Sequence, residues 1–598
     1  MKQNTILLCW ALSVPLLCSA DAPAADAAAS AAAYESGADV GPLRQLEQQI
    51  CAAAGDPGRR AACEAALLRM LAPAASYEAK RFACSGLAVI GSDASLPALE
   101  GLLKTDETVG LACLALGGLR TDKAGDLLRA ALADARGPAR GQLVSALGTR
   151  AEAASVAPLA ALARDADLAL ACAAVRALGD IDAAPAREAV AALRKEAPPA
   201  LAAAVGAASL CGAEQGFAAG DRASAAALCE ALLAPEWPAN VRRGALGLLL
   251  RNDGDQGALR IRSVLAASPR DPVLIAVALA RLPELSGAGV SKTFGALLPD
   301  LPPAEQVLMV EALAARGDAE ARAVLRQQVA SSEPSVRCAA LGAVGALEGV
   351  AAVGVLTKAL SSPTPEEQKV AQAALAGLGG GEAADRALID AARQAAGKDK
   401  LPLLAVLSQR GGRLTTAELL TVACGSDEAA ARAAAQGLSR IAGAGDAAAL
   451  PVLQQAVASG EARAQEVALR TLAAWRGLAA WDTLAGAYLK ADDEARHRLA
   501  LRGLLRAASE ANAAPGAGQA DRYRQLLDGA RGAEERKLIL SVLGGGACSE
   551  TLAMALALLD DPAVRAEAVE AVTRLAKALE ASHPEAARAA LQRVGVAK

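Results

Sequence analysis

Histidine is almost missing from this chain: only His497 and His583 occur among 598 residues. A zinc site of the HExxH kind takes two histidines on one helix face. A Ser-His-Asp triad would have to use one of these two. His583 stands directly before Pro584 in ASHPEAA, which marks it as a helix-entry residue. No C-x-x-C pair occurs among the 12 cysteines, and no C-x-x-C-H haem attachment. The GGG runs at 379–381 and 544–546 lack the Lys-Ser/Thr of a phosphate loop and belong to turns between helices. The sequence therefore predicts no enzyme, no metal site and no cofactor. Charge of one sign is lacking too. The net charge is −4, so no nucleic-acid partner is expected.

Aromatic residues make up 2% of the chain, although 54% of it is hydrophobic. Globular cores draw much of their buried area from aromatic rings. Here alanine and leucine must supply it. Both are strong helix formers, and small side chains let backbones approach. The composition predicts an all-helical protein with thin, closely packed layers.

The chain opens MKQNT, then ILLCWALSVPLLC, an apolar run of 13 residues, then the small residues CSADAPAADA. That run is too short to span a bilayer. The order predicts a signal peptide over residues 1–20, cleaved after Ala20 or Ala24, and export to the periplasm or outside the cell. Lipidation at Cys18 is disfavoured, because Leu17 occupies a position that normally holds a small residue. No second run is apolar over span length without a charge or a Gly/Pro interruption, so no further anchor is expected after cleavage. Residues 21–40 are alanine-rich and predict a disordered tether.

What the chain does have is a repeat. SVRCAALGAVGAL at 335–347 has counterparts beginning at Lys80, Val109, Asn240, Ala429 and Pro562. Each holds two runs with apolar residues near i, i+3, i+4, i+7, parted by Gly, Asp or Ser. Units start at 80, 109, 139, 169, 199, 240, 272, 303, 335, 366, 398, 429, 461, 494, 533 and 562. A steady period near 31 residues signals a solenoid, because one helical hairpin cannot bury its own apolar face. The expected fold is all-α: a right-handed solenoid of 16 hairpins over 80–598. Two further amphipathic segments in 41–79 are expected to cap it. CGAEQGFAAGDRASAAALCEALL stretches the unit at 199, and 205–235 resembles a tetratricopeptide-like hairpin inserted in the array.

Many units begin Val-Arg, continue in alanines and end in Leu-Gly: Val241-Arg242, Val336-Arg337 and Val564-Arg565, with looser copies at Arg140, Arg432 and Arg463. They resemble HEAT repeats of the short, bilin-lyase-like type, and the whole resembles exported bacterial HEAT arrays. The resemblance implies an armadillo/HEAT superhelix that binds other macromolecules. Some HEAT proteins are lyases or di-iron hydroxylases with His-Glu pairs. This chain has no such pair, so that reading ranks last.

The repeated arginine is expected to pair with an acidic residue of its own or the neighbouring unit. Cys84, Cys113, Cys172 and Cys338 share one repeat slot and fit as small buried residues. Cys51–Cys63 and Cys211–Cys229 are candidate disulfides, since export would permit them.

One region departs from the aromatic-poor background. Trp475, Trp481, Tyr488 and Tyr523 lie close together, and the helix between them carries His497, Arg498, Arg502 and Arg506. The three arginines repeat every four residues and share a face. Aromatics and arginine are enriched at binding hot spots. Packing of the rings with solvation of the arginines is the competing account. The leading functional reading is an exported, non-enzymatic scaffold holding a protein or polymer. The alternative is a carbohydrate- or envelope-binding module using exposed Trp475 and Trp481.

Overall fold

A computed structural model describes residues 28, 31–53, 55–512 and 518–595. The expected leader, 1–20, lies outside the described residues, as do residues 21–27 of the expected tether. Among the described residues there are helices and turns and no strand. The chain divides into two compact units, one up to Arg281 and one from Leu282. Each is a solenoid of stacked helical pairs.

In the first unit, helices Tyr77–Ile90, Val109–Gly118, Pro138–Arg150, Leu168–Asp180 and Ala202–Ala218 pack in succession as one layer. Helices Leu96–Leu102, Asp122–Asp134, Val156–Leu162 and Ala184–Glu196 form the other. In the second unit the first layer runs from Pro303–Arg316 through Pro334–Glu348, Pro365–Ala376, Lys400–Arg410 and Glu428–Ala444. It continues through Ala462–Ala473, Glu494–Ala511 and Ala533–Leu543. Proline opens several of these helices, where its missing N–H has no partner to lose. The core repeats with the sequence: Leu87, Leu116, Leu147 and Leu178 are buried in one unit, Leu375, Leu407, Leu438 and Leu472 in the other.

Glycine sets the spacing within the first layer. A Cβ added at Gly148 would lie 3.0 Å from Ala177 Cα, and one at Gly179 would lie 2.7 Å from Ala208 Cα. The same contact recurs in the second unit, where a Cβ at Gly503 would lie 2.7 Å from Ala473 Cα. Neighbouring helices meet backbone to backbone along this seam. That is why the repeats are so rich in alanine and glycine.

Arginines tie successive repeats together in two ways. Near helix starts, Arg140 pairs with Asp165 at 2.9 Å, Arg337 with Glu367 at 2.6 Å and Arg536 with Asp561 at 3.0 Å, and Arg242 pairs with Asp271. Arg432 instead pairs within its own helix with Glu428, and Arg463 donates to Gly425 O at 3.1 Å. At helix ends, Arg150 donates to Leu116 O and Thr121 O at 2.7 Å each. Arg316 donates to Leu282 O at 3.1 Å and Leu285 O at 2.6 Å. Arg410 donates to Ala376 O and Leu378 O at 3.0 Å each. Arg150 and Arg410 thereby cover orphan carbonyls that close the preceding first-layer helix, at the negative end of its dipole, while Arg316 covers the turn at 282–285.

Three expectations change. The tether does not stay clear of the fold. Ala28 and Ala31 are buried in the core, and Ser76 N donates to Ala32 O at 3.0 Å. Alanine is small enough to pack there. No extra hairpin is spliced in at 205–235. Helices Ala202–Ala218 and Arg222–Ala231 are that unit's own pair, and the first contacts Leu168–Asp180 and Ala239–Asn252 like any first-layer helix. The added length lies in a longer first helix. Cys51–Cys63 and Cys211–Cys229 are not bridged, and every described cysteine is a free thiol. Cys51 is exposed while Cys63 is buried, and Cys229 sits in a core cluster with Leu232 and Leu249. Burial pushes the Cys84 and Cys113 thiols up to about 12 and Cys229 to about 11.

The stretch Pro334–Ala359 has the length and hydropathy of a membrane span. Gly349, at φ 53°, breaks it into two helices that pack within the second unit.

Candidate functional site

The region 462–543 holds every candidate residue outside the cysteines. The structure separates them into a buried aromatic set and an exposed groove.

The aromatic side chains are not exposed. Trp475, Tyr488 and Tyr523 are each 1% exposed, and Trp481 is 4% exposed. The polar handles of Trp481, Tyr488 and Tyr523 have partners, as buried Trp and Tyr require. Trp481 Nε1 donates to Gln525 Oε1 at 2.9 Å, with the Arg522 guanidinium 5.9 Å from the ring centre. Tyr488 OH donates to Leu526 O at 3.0 Å. Tyr523 OH lies 3.0 Å from Asn512 Oδ1 and 3.1 Å from Val542 O. Burial pushes the Tyr523 phenol up to about 12, and Tyr488 is raised for the same reason.

His497 is buried beside them. Its ring stacks on Tyr488 with centres 4.4 Å apart. Nδ1 donates to Tyr488 O at 2.9 Å, and Nε2 lies 3.1 Å from Glu535 Oε2. Glu535 also accepts the Arg531 N–H at 2.8 Å. Burial alone would raise the Glu535 carboxyl, but Arg531 and His497 hold it below the usual range. These contacts run from the repeat at 462 through the repeat at 494 to that at 533. The aromatic set is an inter-repeat core, not a surface. Trp475 and Trp481 therefore cannot form an exposed sugar-stacking platform.

The three arginines part company. Arg506 is half-buried and caps the preceding helix, donating to Ala473 O at 3.2 Å and to Trp475 O, and pairing with Glu510 at 2.7 Å. It belongs with Arg150, Arg316 and Arg410. Arg498 is exposed and pairs with Glu494 at 2.6 Å. Arg502 is exposed and has no ion pair or hydrogen bond among the described residues.

Arg498 and Arg502 instead line an open groove of about 900 Å³ between helices Ala462–Ala473 and Glu494–Ala511. Arg470 and Arg496 complete the cationic lining, with Leu469 and Leu499 beneath. Two carboxylates share it, and both are engaged. Glu466 pairs with Arg470 at 2.8 Å, and Asp493 caps its helix by accepting the Arg496 N–H at 3.1 Å. Arg496 donates to Gln465 at 2.9 Å. Four arginines against two occupied carboxylates leave a positive groove that can hold an anionic segment. Sequence reading found Arg498 and Arg502 through their spacing. It missed Arg470 and Arg496, which sit on separate helices and share no short motif.

Among the described residues, no group of three or more His, Cys, Asp or Glu side chains is placed to hold a metal ion.

Residues 291–376 match the family model described as HEAT repeats. That segment carries HEAT repeats. The matched segment lies in the second unit and takes in the helices from Val290–Gly295 to Pro365–Ala376. No curated protein matches the chain. Among solved structures, the chain is similar to Kap121p at 13% identity and TM-score 0.39, over 92% of this chain and 70% of that one. It is similar to Kap95p, solved with RanGDP, at 12% identity and TM-score 0.40, over 94% of this chain and 85% of that one. Human deoxyhypusine hydroxylase matches at 18% identity and TM-score 0.20, over 55% of this chain and 98% of that one.

Proposed function

We propose that this HEAT-repeat chain is an exported, non-enzymatic scaffold. It holds a protein partner through an acidic segment seated in the groove between helices Ala462–Ala473 and Glu494–Ala511. The observation that carries this reading is Arg502, an exposed guanidinium with no partner among the described residues, in a groove lined by four arginines. Charge of this kind steers encounter and selects partners more than it adds affinity. Export rests on the leader pattern over 1–20.

Replacing Arg498 and Arg502 together with alanine tests the groove. Capture of a protein from the native envelope is expected to weaken by about 1 kcal/mol or more, the order of a hot spot. It should weaken further in raised salt, because exposed charges are screened. The melting temperature should hold, since neither side chain is buried. Capture that is indifferent to both the variant and the salt would defeat the reading. Intact-mass analysis of the mature protein tests export, with cleavage expected after Ala20 or Ala24 and no lipid on Cys18.

A further inference from the structure

A second cavity lies in the first unit, away from the groove. Helices Leu168–Asp180, Ala184–Glu196, Ala202–Ala218 and Arg222–Ala231 line an open cavity of about 470 Å³. That is within the range of small-ligand sites, which are mostly apolar with a few placed polar groups. Here the apolar wall includes Leu178, Ile181, Val190, Ala208 and Leu228.

Three long polar side chains line the same cavity: Arg187, Arg194 and Gln215. Arg187 is engaged, pairing with Asp182 at 2.7 Å. Arg194 is half-buried and has no ion pair or hydrogen bond among the described residues. Gln215 Nε2 donates to Gly179 O at 3.2 Å. A carbonyl can only accept, so this bond fixes which way the amide points. Gln215 Oε1 is then buried, with no hydrogen-bond partner among the described residues. Ser209 does not supply one, because its hydroxyl donates to Val205 O at 2.8 Å.

The cavity thus has an apolar wall, one unspent cation and, beneath its lining, one buried acceptor that lacks a donor. A matching ligand offers an apolar body, an anion and an N–H. A simple fatty carboxylate has the first two. The last residue of a peptide has all three: an apolar side chain, its α-carboxylate and its own amide N–H. We infer that this cavity binds the free C-terminal residue of a peptide with an apolar side chain. Arg194 receives the carboxylate and Gln215 Oε1 accepts the amide N–H.

Calorimetric titration of the full chain with three probes tests this: N-acetyl-Ala-Leu, the same dipeptide as its C-terminal amide, and decanoate. The free acid is expected to bind. The amide should bind about tenfold more weakly or worse, the usual scale for losing a charge-assisted hydrogen bond. Decanoate should bind more weakly than the peptide acid. Arg194→Gln should erase the preference for acid over amide at an unchanged melting temperature, and Arg194→Lys should restore part of it. Equal binding of acid and amide, a preference that survives Arg194→Gln, or no binding of the acid would overturn the assignment. Decanoate binding as tightly as the peptide acid would overturn it too, in favour of a lipid carboxylate site.

Discussion

Glycine to alanine is the substitution that best distinguishes positions in this chain. Within a helix it ordinarily stabilises by up to about 1 kcal/mol. At Gly247, in helix Ala239–Asn252, a new Cβ would meet nothing within 4 Å, so Gly247→Ala is expected to raise the melting temperature. At Gly503 the new Cβ would lie 2.7 Å from Ala473 Cα and 3.2 Å from Leu484 Cδ1. Gly503→Ala is expected to cost about 1–3 kcal/mol by overpacking, despite the better propensity. Thermal unfolding of the two variants should therefore move in opposite directions. The buried His497–Glu535 contact makes a second test. A carboxylate held below its usual range contributes stability that is complete above the ordinary glutamate pKa and disappears as pH falls through the lowered value. Acid titration of stability should show that loss in the native chain, and Glu535→Gln should flatten it. A Glu535→Gln chain with an unchanged acid limb would refute the linkage.

At the scale of helices, the arginines at helix ends carry much of the joining between repeats. Arg410 is largely buried, pairs with Asp385 at 2.7 Å and covers carbonyls of helix Pro365–Ala376. Arg410→Met would leave Asp385 and those carbonyls unpaired, a loss of about 3–5 kcal/mol for a broken buried pair. Arg410→Lys should recover only part, since an ammonium lacks the planar fork that reaches several acceptors. Denaturant unfolding of both variants checks the order. Sequence alone disclosed the period, the paired helices and the arginine near several helix starts, because apolar spacing and punctuation recur every repeat. The arginine at the helix end stayed hidden. In sequence it looks like any basic residue in a last turn, and its acceptors are backbone atoms of the repeat before. The aromatic set was found but its side of the helix was not. Rarity makes a tryptophan conspicuous in this composition, yet only the register of the helices decides whether it faces a neighbour or water. The cavity beside Gln215 was missed for the same reason, as its lining comes from four helices.

For the chain as a whole, stability is a sum over neighbouring repeats. Damage at one seam should stay local. Hydrogen exchange of Gly503→Ala is expected to show lost protection in 462–543 and full protection in 77–196; uniform loss across both would contradict the nearest-neighbour picture. The cysteines fit a molecule that does not depend on bridges. Thiols raised to about 12 or 11 by burial are poor nucleophiles and exchange slowly. Reductant should leave the melting temperature unchanged, and alkylation after denaturation should label Cys51, Cys63, Cys211 and Cys229 without prior reduction.

The arginines at helix ends also give the array a direction in time. Arg150 binds carbonyls of Leu116 and Thr121, Arg316 those of Leu282 and Leu285, and Arg506 that of Ala473, always backwards along the chain. A helix capped in this way therefore still has open carbonyls at its end when it has just left the ribosome. They close only after the following repeat has been made and has folded against it. At these helices maturation of the fold trails synthesis by about one repeat, so a nascent chain stopped just after one of them carries an unfinished end.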